Sequence, residues 1–415
     1  MSGTVWYRKL HWQILVAMTA GVIAGLVGGP AIVPKVGWLG TLFIALLRMI
    51  IVPLIITSII SGVASIGGGR SLGRMFGKTL GYYVLTSALA IMAGLLAVNI
   101  IKPGVGANIG GAAKVDLPDL SAPVSAVELL LDIVPRNFFE AAVESKMLSV
   151  IFFCILFGVA IANLPEEPRT FLFKLFDTAF QAMMKLTAGV IMFLPVGVFG
   201  LITRLVGESG FASFKALGMY MVTITLSLTV HLFVTLPLVL ILFGRIKPRI
   251  HFRNMMDALL MAFSTSSSAA TLPVTISNVE KKVGVSNRIS AFVLPMGATV
   301  NMDGTALYEC AGVLFIAQVL GAELNFGAQL VVVLTALLAS IGAAAVPSAG
   351  LVVIFIVLES VNLRGPEVDV IVGAMLAVDR PLDMYRTAIN VFSDSCGAAI
   401  IAKSEGEDVD TVVVA

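Results

Sequence analysis

Asp383, Arg386, Thr387, Asn390 and Asp394 lie in the otherwise apolar stretch Ala377–Ala402. At about 100° per residue, with Asp383 as origin, Arg386 falls at about −60°, Thr387 at about +40°, Asn390 at about −20° and Asp394 at about +20°. Asp379 joins them at about −40°, so six polar groups share one helix face. The opposite face carries Leu382, Ala388, Val391 and Phe392. An ionisable side chain left unpaired in hydrocarbon costs several kcal/mol, and such residues mark substrate and ion pathways. Groups of both signs on one face suit a small zwitterion together with cations. The plainer alternative is a buried ion pair tying two helices together.

A second polar set runs through Gly297-Ala-Thr-Val-Asn301-Met-Asp303-Gly-Thr305-Ala-Leu-Tyr308-Glu309. On a regular helix Asn301, Thr305 and Glu309 fall within about 80° of one another, but Asp303 stands about 200° from Asn301. An unwound turn beside Gly304 resolves the conflict and frees backbone carbonyls. Carbonyls with one or two carboxylates form a hard-oxygen cage suited to Na⁺. By spacing alone H⁺ or a structural role fits as well.

These residues need long helices to hold them. The 415-residue chain is 58% hydrophobic and 13% charged, about half the charged fraction of roughly 25% in soluble domains, and its mean hydropathy is +1.00. That predicts a polytopic membrane protein. The net charge of +2 gives no footprint for nucleic acid. Cys154, Cys310 and Cys396 form no CxxC pattern, and His11, His231 and His251 are scattered, so neither a disulfide framework nor a His-based metal site is indicated. No nucleophile–base arrangement or phosphate-cradling loop is evident, which argues against an enzyme. The first apolar run, Ile14–Val27, reads as an uncleaved helix because apolar segments continue to the end of the chain.

Apolar helices are predicted at about 12–29, 37–66, 78–101, 124–162, 170–206 and 214–243, followed by a less regular second half. Pro135 and Gly158 predict that the fourth of these is broken. Pro103–Pro123 reads as a loop. Basic residues cluster at Arg8–Lys9, at Arg70, Arg74 and Lys78, at Arg245, Lys247, Arg249 and Arg253, and at Lys281, Lys282 and Arg288. With a cytoplasmic N-terminus all of these fall on one side, provided that Asp257–Glu280 enters and returns on that side as a re-entrant hairpin. Its small-residue tip is Ser264–Pro273, and Ala339–Gly350 is a second such tip. Each is followed by a helix with Asn and Asp, Asn301 and Asp303 after the first, Asn390 and Asp394 after the second. The pattern is an internal repeat of hairpin plus helix, inverted if the second hairpin enters from outside.

The segments Asn301-Met-Asp-Gly-Thr305, Asp383-Met-Tyr-Arg386-Thr387-x-x-Asn390-x-x-x-Asp394, Asp132-Ile-Val-Pro135 and Arg48-Met-x-x-x-Pro53, with the serine-rich hairpin, resemble the dicarboxylate/amino acid:cation symporter family of excitatory amino acid and archaeal aspartate transporters. The likeness covers nearly the whole chain. It implies an all-α polytopic membrane protein with eight transmembrane helices, two re-entrant helical hairpins and inverted repeats, assembled as a homotrimer in the plasma (inner) membrane with both termini cytoplasmic. Scaffold helices 1–2 would occupy residues 1–77 and scaffold helices 4–5 residues 124–212. A mobile transport domain would hold helix 3 at 78–102 and, across 213–402, helix 6, hairpin 1 (about 254–282), helix 7, hairpin 2 (about 327–364) and helix 8. Residues 103–123 would be an extracellular loop and 403–415 a cytoplasmic tail. This domain would move like an elevator, with the hairpin tips as gates.

The resemblance also implies roles. Arg386 would bind the substrate's side-chain carboxylate, assisted by Thr305, and Asp383 would take the α-ammonium. Thr387 would face the substrate too. Asn390, the Ser267/Ser268 tip and backbone near Val346 and Gly350 would hold the α-carboxylate. One sodium site would use Gly297, Asn301 and Asn390 carbonyls with the Asp394 carboxylate. A second would use Thr299, Ser340, Ile341 and Ala343. A third would use Tyr83, Thr86, Ser87, Asn301 and Asp303; from the residues alone Tyr83, Thr86 and Ser87 read as interhelical packing. Glu309 would be the proton-coupling candidate, since burial among apolar groups favours a neutral carboxyl; a permanently neutral or paired structural Glu fits equally. No cofactor is implied, and Na⁺ is a co-transported ion.

This sequence departs from its relatives in the hairpin tips. Archaeal members have Arg where Ser266 stands, animal members have Arg where Met384 stands, and this chain has neither, so K⁺ countertransport is not carried over. Ala345 replaces a glycine in the second tip. The expected activity is import of L-aspartate and/or L-glutamate with Na⁺, with H⁺ through Glu309 as an option. A symporter of C4-dicarboxylates on the same fold is the alternative, opposed by Asp383, whose uncompensated charge would repel succinate. A channel or receptor is the third class, opposed by the closed, charge-paired site.

Overall fold

The computed structural model describes residues 10–64, 70–107, 109, 133–144, 146–209, 212–341 and 349–409. Among them every regular element is helical. Helix α1 (Leu10–Gly28) ends in a 3₁₀ turn at Gly29–Ala31, and α2 (Val33–Ala64) continues unbroken through Pro53. Helix α3 (Arg70–Ile101) begins earlier than its apolar run, so Arg70, Arg74 and Lys78 lie on it. Then come α4 (Phe138–Val143), α5 (Met147–Ala162), α6 (Glu166–Ile191) and α7 (Leu194–Ser209). Five helical stretches are long and apolar enough to cross a membrane, at 12–31, 33–64, 74–101, 214–244 and 287–320; a sixth is the bent pair α6–α7.

Two expectations need correction. Gly158 does not break its helix: α5 runs straight through it. A Cβ there would stand 2.7 Å from Val63 Cβ, so this glycine serves the close crossing of α5 and α2. The predicted helix over 170–206 is instead two helices bent by 48° at Met192–Phe193. Pro195 lies four residues after Ile191 and cannot donate to its carbonyl, and the pyrrolidine ring crowds that carbonyl.

Helix α8 (Ala212–Val230) passes through π turns at His231–Thr235 and Leu240–Gly244, around the short α9 (Leu236–Val239). Helices α10 (Pro248–Thr265) and α11 (Ser268–Asn278, extended by a π turn to Val283) form a helical hairpin. Its turn is the left-handed Ser266 at φ +51° followed by Ser267, whose side chain caps α11. Its open end is closed by Asn254 Nδ2 donating to the Lys282 carbonyl at 3.0 Å. Helix α12 (Asn287–Val300) then runs inward and continues as α13 (Asp303–Leu320) after a break at Asn301–Met302. An 18-residue stretch of this 34-residue span is 94% buried, which makes it the central helix of its bundle.

Helix α14 (Phe326–Ile341) starts at the opposite end from α10, as Asn99 on α3 reaches Gln329 at 3.0 Å. Helix α15 (Ala349–Ser360) leads back, and α16 (Pro366–Ser404) traverses the molecule in 39 residues. Arg74 and Lys78 meet Glu405 just past its end, and Glu407 accepts the Ser286 amide at 2.9 Å, so the starts of α3 and α12 and the end of α16 share one end of the molecule. The two helix pairs α10–α11 and α14–α15 therefore approach α16 from opposite ends. Arg48 on α2 joins the first group of helices to the last: it pairs with Asp369 on α16 and lies 4.9 Å from the Phe355 ring centroid on α15.

Candidate functional site

The site forms where the break between α12 and α13 meets the middle of α16. Leaving helical geometry at Asn301 and Met302 re-aims the chain, and the helix resumes at Asp303. The break is thus confined to Asn301–Met302, and Gly304 lies inside the helix that follows. Asp303 is fully buried as the first residue of α13. Its Oδ1 accepts from Ser87 Oγ at 2.7 Å and Thr86 Oγ1 at 3.2 Å. Its Oδ2 accepts from Ser393 Oγ at 2.6 Å and faces His231 Nε2 at 3.2 Å. The full burial of this acid is therefore matched by a dense set of hydrogen-bonding groups.

Asn301 lies beside it. Its Nδ2 donates to Asp394 Oδ1 at 2.9 Å and Ser393 Oγ at 3.0 Å, while Thr86 Oγ1 approaches its Oδ1 at 3.4 Å. Gly297 backs onto the same spot: a Cβ there would be 2.5 Å from Asp394 Oδ1 and 2.8 Å from the Tyr83 hydroxyl, which donates to the Val293 carbonyl. Tyr83, Thr86, Ser87, Gly297, Asn301, Asp303 and Asp394 are brought together. Two carboxylates, an amide and several hydroxyls form an oxygen-rich centre of the kind a hard cation takes.

One turn away is the charged half. Arg386 is 2% exposed, and its Nε and Nη2 both donate to Asp383 Oδ1, at 3.2 and 2.9 Å. Nη1 faces Asp379 Oδ1 at 3.3 Å, and the guanidinium stacks 4.3 Å from the Tyr308 ring centroid on α13. Arg380 Nη1 holds the other Asp383 oxygen at 3.3 Å. Asn390 links the halves, accepting from the Gly304 amide at 2.8 Å and approaching Thr305 Oγ1 at 3.4 Å. Thr387 Oγ1 donates to the Asp383 carbonyl at 2.7 Å.

Two glycines bracket Arg386. A Cβ on Gly304 would lie 2.8 Å from Arg386 Cβ, and one on Gly350 would lie 3.1 Å from its Cζ. The second helix pair therefore closes directly over the guanidinium. At the first tip Ser267 Oγ accepts from the Ala270 amide at 3.2 Å and Ser268 is buried. Glu309 is fully buried on α13 and neither carboxyl oxygen has a hydrogen-bond partner. An unpaired charge there would be costly, which favours a neutral acid.

The remaining predicted set is not joined by side-chain contacts. Thr299 is exposed and bonds to the Met296 carbonyl of its own helix; Ser340 is buried and bonds to Leu337 of its own helix. Ile341 ends α14, while Ala343 and Val346, like Ala345 and Asp132, lie outside the described residues. Helix phase places Asp379 on the polar face without a role, and the structure sets it beside Arg386. Tyr308, Ser393 and His231 are neighbours that the sequence alone does not point to; His231 is a lone histidine in an apolar helix.

The chain is similar to known transporters over almost its whole length. It is 35% identical to the proton/sodium-glutamate symport protein of Geobacillus stearothermophilus, covering 96% of this chain and 95% of that protein. It is 34% identical to the proton/glutamate-aspartate symporter of Escherichia coli (strain K12), covering 96% and 93%. It is 32% identical to the excitatory amino acid transporter 3 of Homo sapiens, covering 100% and 90%. A family model matches residues 10–404, and with these relatives it shows that the chain belongs to the sodium:dicarboxylate symporter family.

Proposed function

We infer that the chain is a multi-pass membrane symporter, not an enzyme, that carries the acidic amino acids aspartate and glutamate together with Na⁺. The observation that carries this reading is the union, on α12–α13 and α16, of a buried oxygen-rich centre and a buried arginine set between carboxylates. Arg386 would give its planar fork to the substrate's side-chain carboxylate, and Asp383 would exchange Arg386 for the α-ammonium. Thr305, Thr387, Asn390, Ser267, Ser268, Gly350 and Val346 would surround the substrate. Gly297, Asn301, Asn390 and Asp394 would hold one sodium ion, Tyr83, Thr86, Ser87, Asn301 and Asp303 another, and Thr299, Ser340, Ile341 and Ala343 a third. Glu309 would carry a proton, for which an unpartnered buried carboxyl is suited.

In this proposal α1, α2 and α4–α7 form a trimeric scaffold in the inner membrane, with both chain termini cytoplasmic. Helix α3 and α8–α16 form the body that moves as an elevator, completing eight transmembrane helices and two re-entrant hairpins, whose tips gate the site. The approach of the two helix pairs to α16 from opposite ends supports it. The test is uptake into proteoliposomes of labelled aspartate and glutamate under separately imposed Na⁺, H⁺ and K⁺ gradients. Uptake driven by inward Na⁺ is expected. Uptake indifferent to external Na⁺ but driven by H⁺ would overturn the sodium assignment.

A further inference from the structure

Arg386 has two carboxylates to serve once substrate is bound. In the structure Nε and Nη2 both donate to Asp383 Oδ1, while Nη1 has no hydrogen-bond partner. A substrate carboxylate on the Nη1–Nη2 edge would share the same charge and loosen the hold on Asp383. Asp383, 3% exposed beside Asp379, would then be held less firmly by Arg386, and weaker pairing of a buried charge is costly. The α-ammonium of the substrate cancels that cost only once it is in place.

Arg380 removes this difficulty. It sits three residues before Asp383 on the same helix and donates to Oδ2, the oxygen that Arg386 does not use. Its side chain is 23% exposed, so its own charge is partly hydrated, while its Nε is buried without a hydrogen-bond partner and leaves the guanidinium capacity to follow the carboxylate. The charged and titratable groups around the pair are Asp379 and Arg386 on α16, Tyr308 and Glu309 on α13, and Tyr220 on α8, whose ring neighbours Tyr308. With Glu309 neutral, the four α16 groups Asp379, Arg380, Asp383 and Arg386 sum to zero. Without Arg380 they sum to −1, against a substrate that is itself a net anion.

We propose that Arg380 is a positioning and selectivity residue, which holds Asp383 while Arg386 is shared with the substrate and which supplies the second cation that lets the pocket take an anionic amino acid. This rests on the assignment of Arg386 and Asp383 to the substrate. It acts on binding of the substrate rather than on the movement that carries it.

The test is sodium-driven aspartate uptake by Arg380→Gln and Arg380→Lys in proteoliposomes, alongside the unaltered protein, with thermal melting to check folding. Arg380→Gln should raise KM for aspartate about tenfold or more, the effect of one lost charge-assisted hydrogen bond, with the maximal rate within about twofold. Arg380→Lys should recover most of that loss, as it keeps the charge. An unchanged KM in a folded Arg380→Gln protein overturns the proposal, as does a fall in rate alone, or a lysine variant as poor as the glutamine one. Failure of the unaltered protein to take up aspartate would instead sink the functional reading itself.

Discussion

Arg386 concentrates the chemistry of the site, since it is buried, held by two carboxylates and stacked on an aromatic ring. Its replacement by a neutral, smaller side chain removes the group that singles out an acidic substrate. Arg386→Cys is expected to abolish aspartate and glutamate uptake and to favour neutral amino acids, read from competition against a labelled substrate; unchanged aspartate affinity would refute the role. Asp303 is the matching case for the cation. It is fully buried among Ser87, Thr86, Ser393 and His231. Asp303→Asn keeps the shape but loses the charge, and should raise the Na⁺ concentration for half-maximal uptake about tenfold or more, the size of a lost ionic contact. Equal sodium dependence in the variant would make Asp303 a structural residue only.

At the scale of elements, α13 and α16 cross so closely at Gly304 that an added methyl meets Arg386 backbone at 3.0 Å. Backbone cannot yield as a side-chain tip can, so Gly304→Ala should cost about 1–3 kcal/mol of stability, with weakened substrate binding, measured by thermal melting with and without aspartate. The polar face of α16 was legible because helix phase alone collects Asp379, Asp383, Arg386, Asn390 and Asp394. The break before Asp303 was legible because no regular helix reconciles Asp303 with Asn301. The partners of Asp303 were not: Ser87, His231 and Ser393 come from α3, the π turn after α8, and α16, and no local pattern joins them. Prolines give no uniform signal. Pro53 and Pro381 sit inside continuous helices, whereas Pro195 bends α6 from α7, and only packing decides between these outcomes.

The whole molecule is tied at both ends by ions. At one end Glu405 is held by Arg74 and Lys78, and the Arg74 hydrogen bond, followed by that of Lys78, brings its carboxyl down to about 2 from an ordinary 4.5. A lowered folded-state value stabilises above the ordinary one, and that contribution disappears as pH falls through the folded one. The difference in Tm between the unaltered protein and Glu405→Gln should therefore be constant above about pH 4.5 and vanish toward pH 2. At the other end Arg48 reaches from α2 to Asp369 and Phe355. If the two groups of helices slide past each other, this contact must open and reclose in every cycle, so it behaves as a clutch. Its side chains are 37% and 22% exposed. Transport at saturating sodium should then be faster in Asp369→Asn than in the unaltered protein, and an equal or slower rate would show that opening this contact does not set the pace.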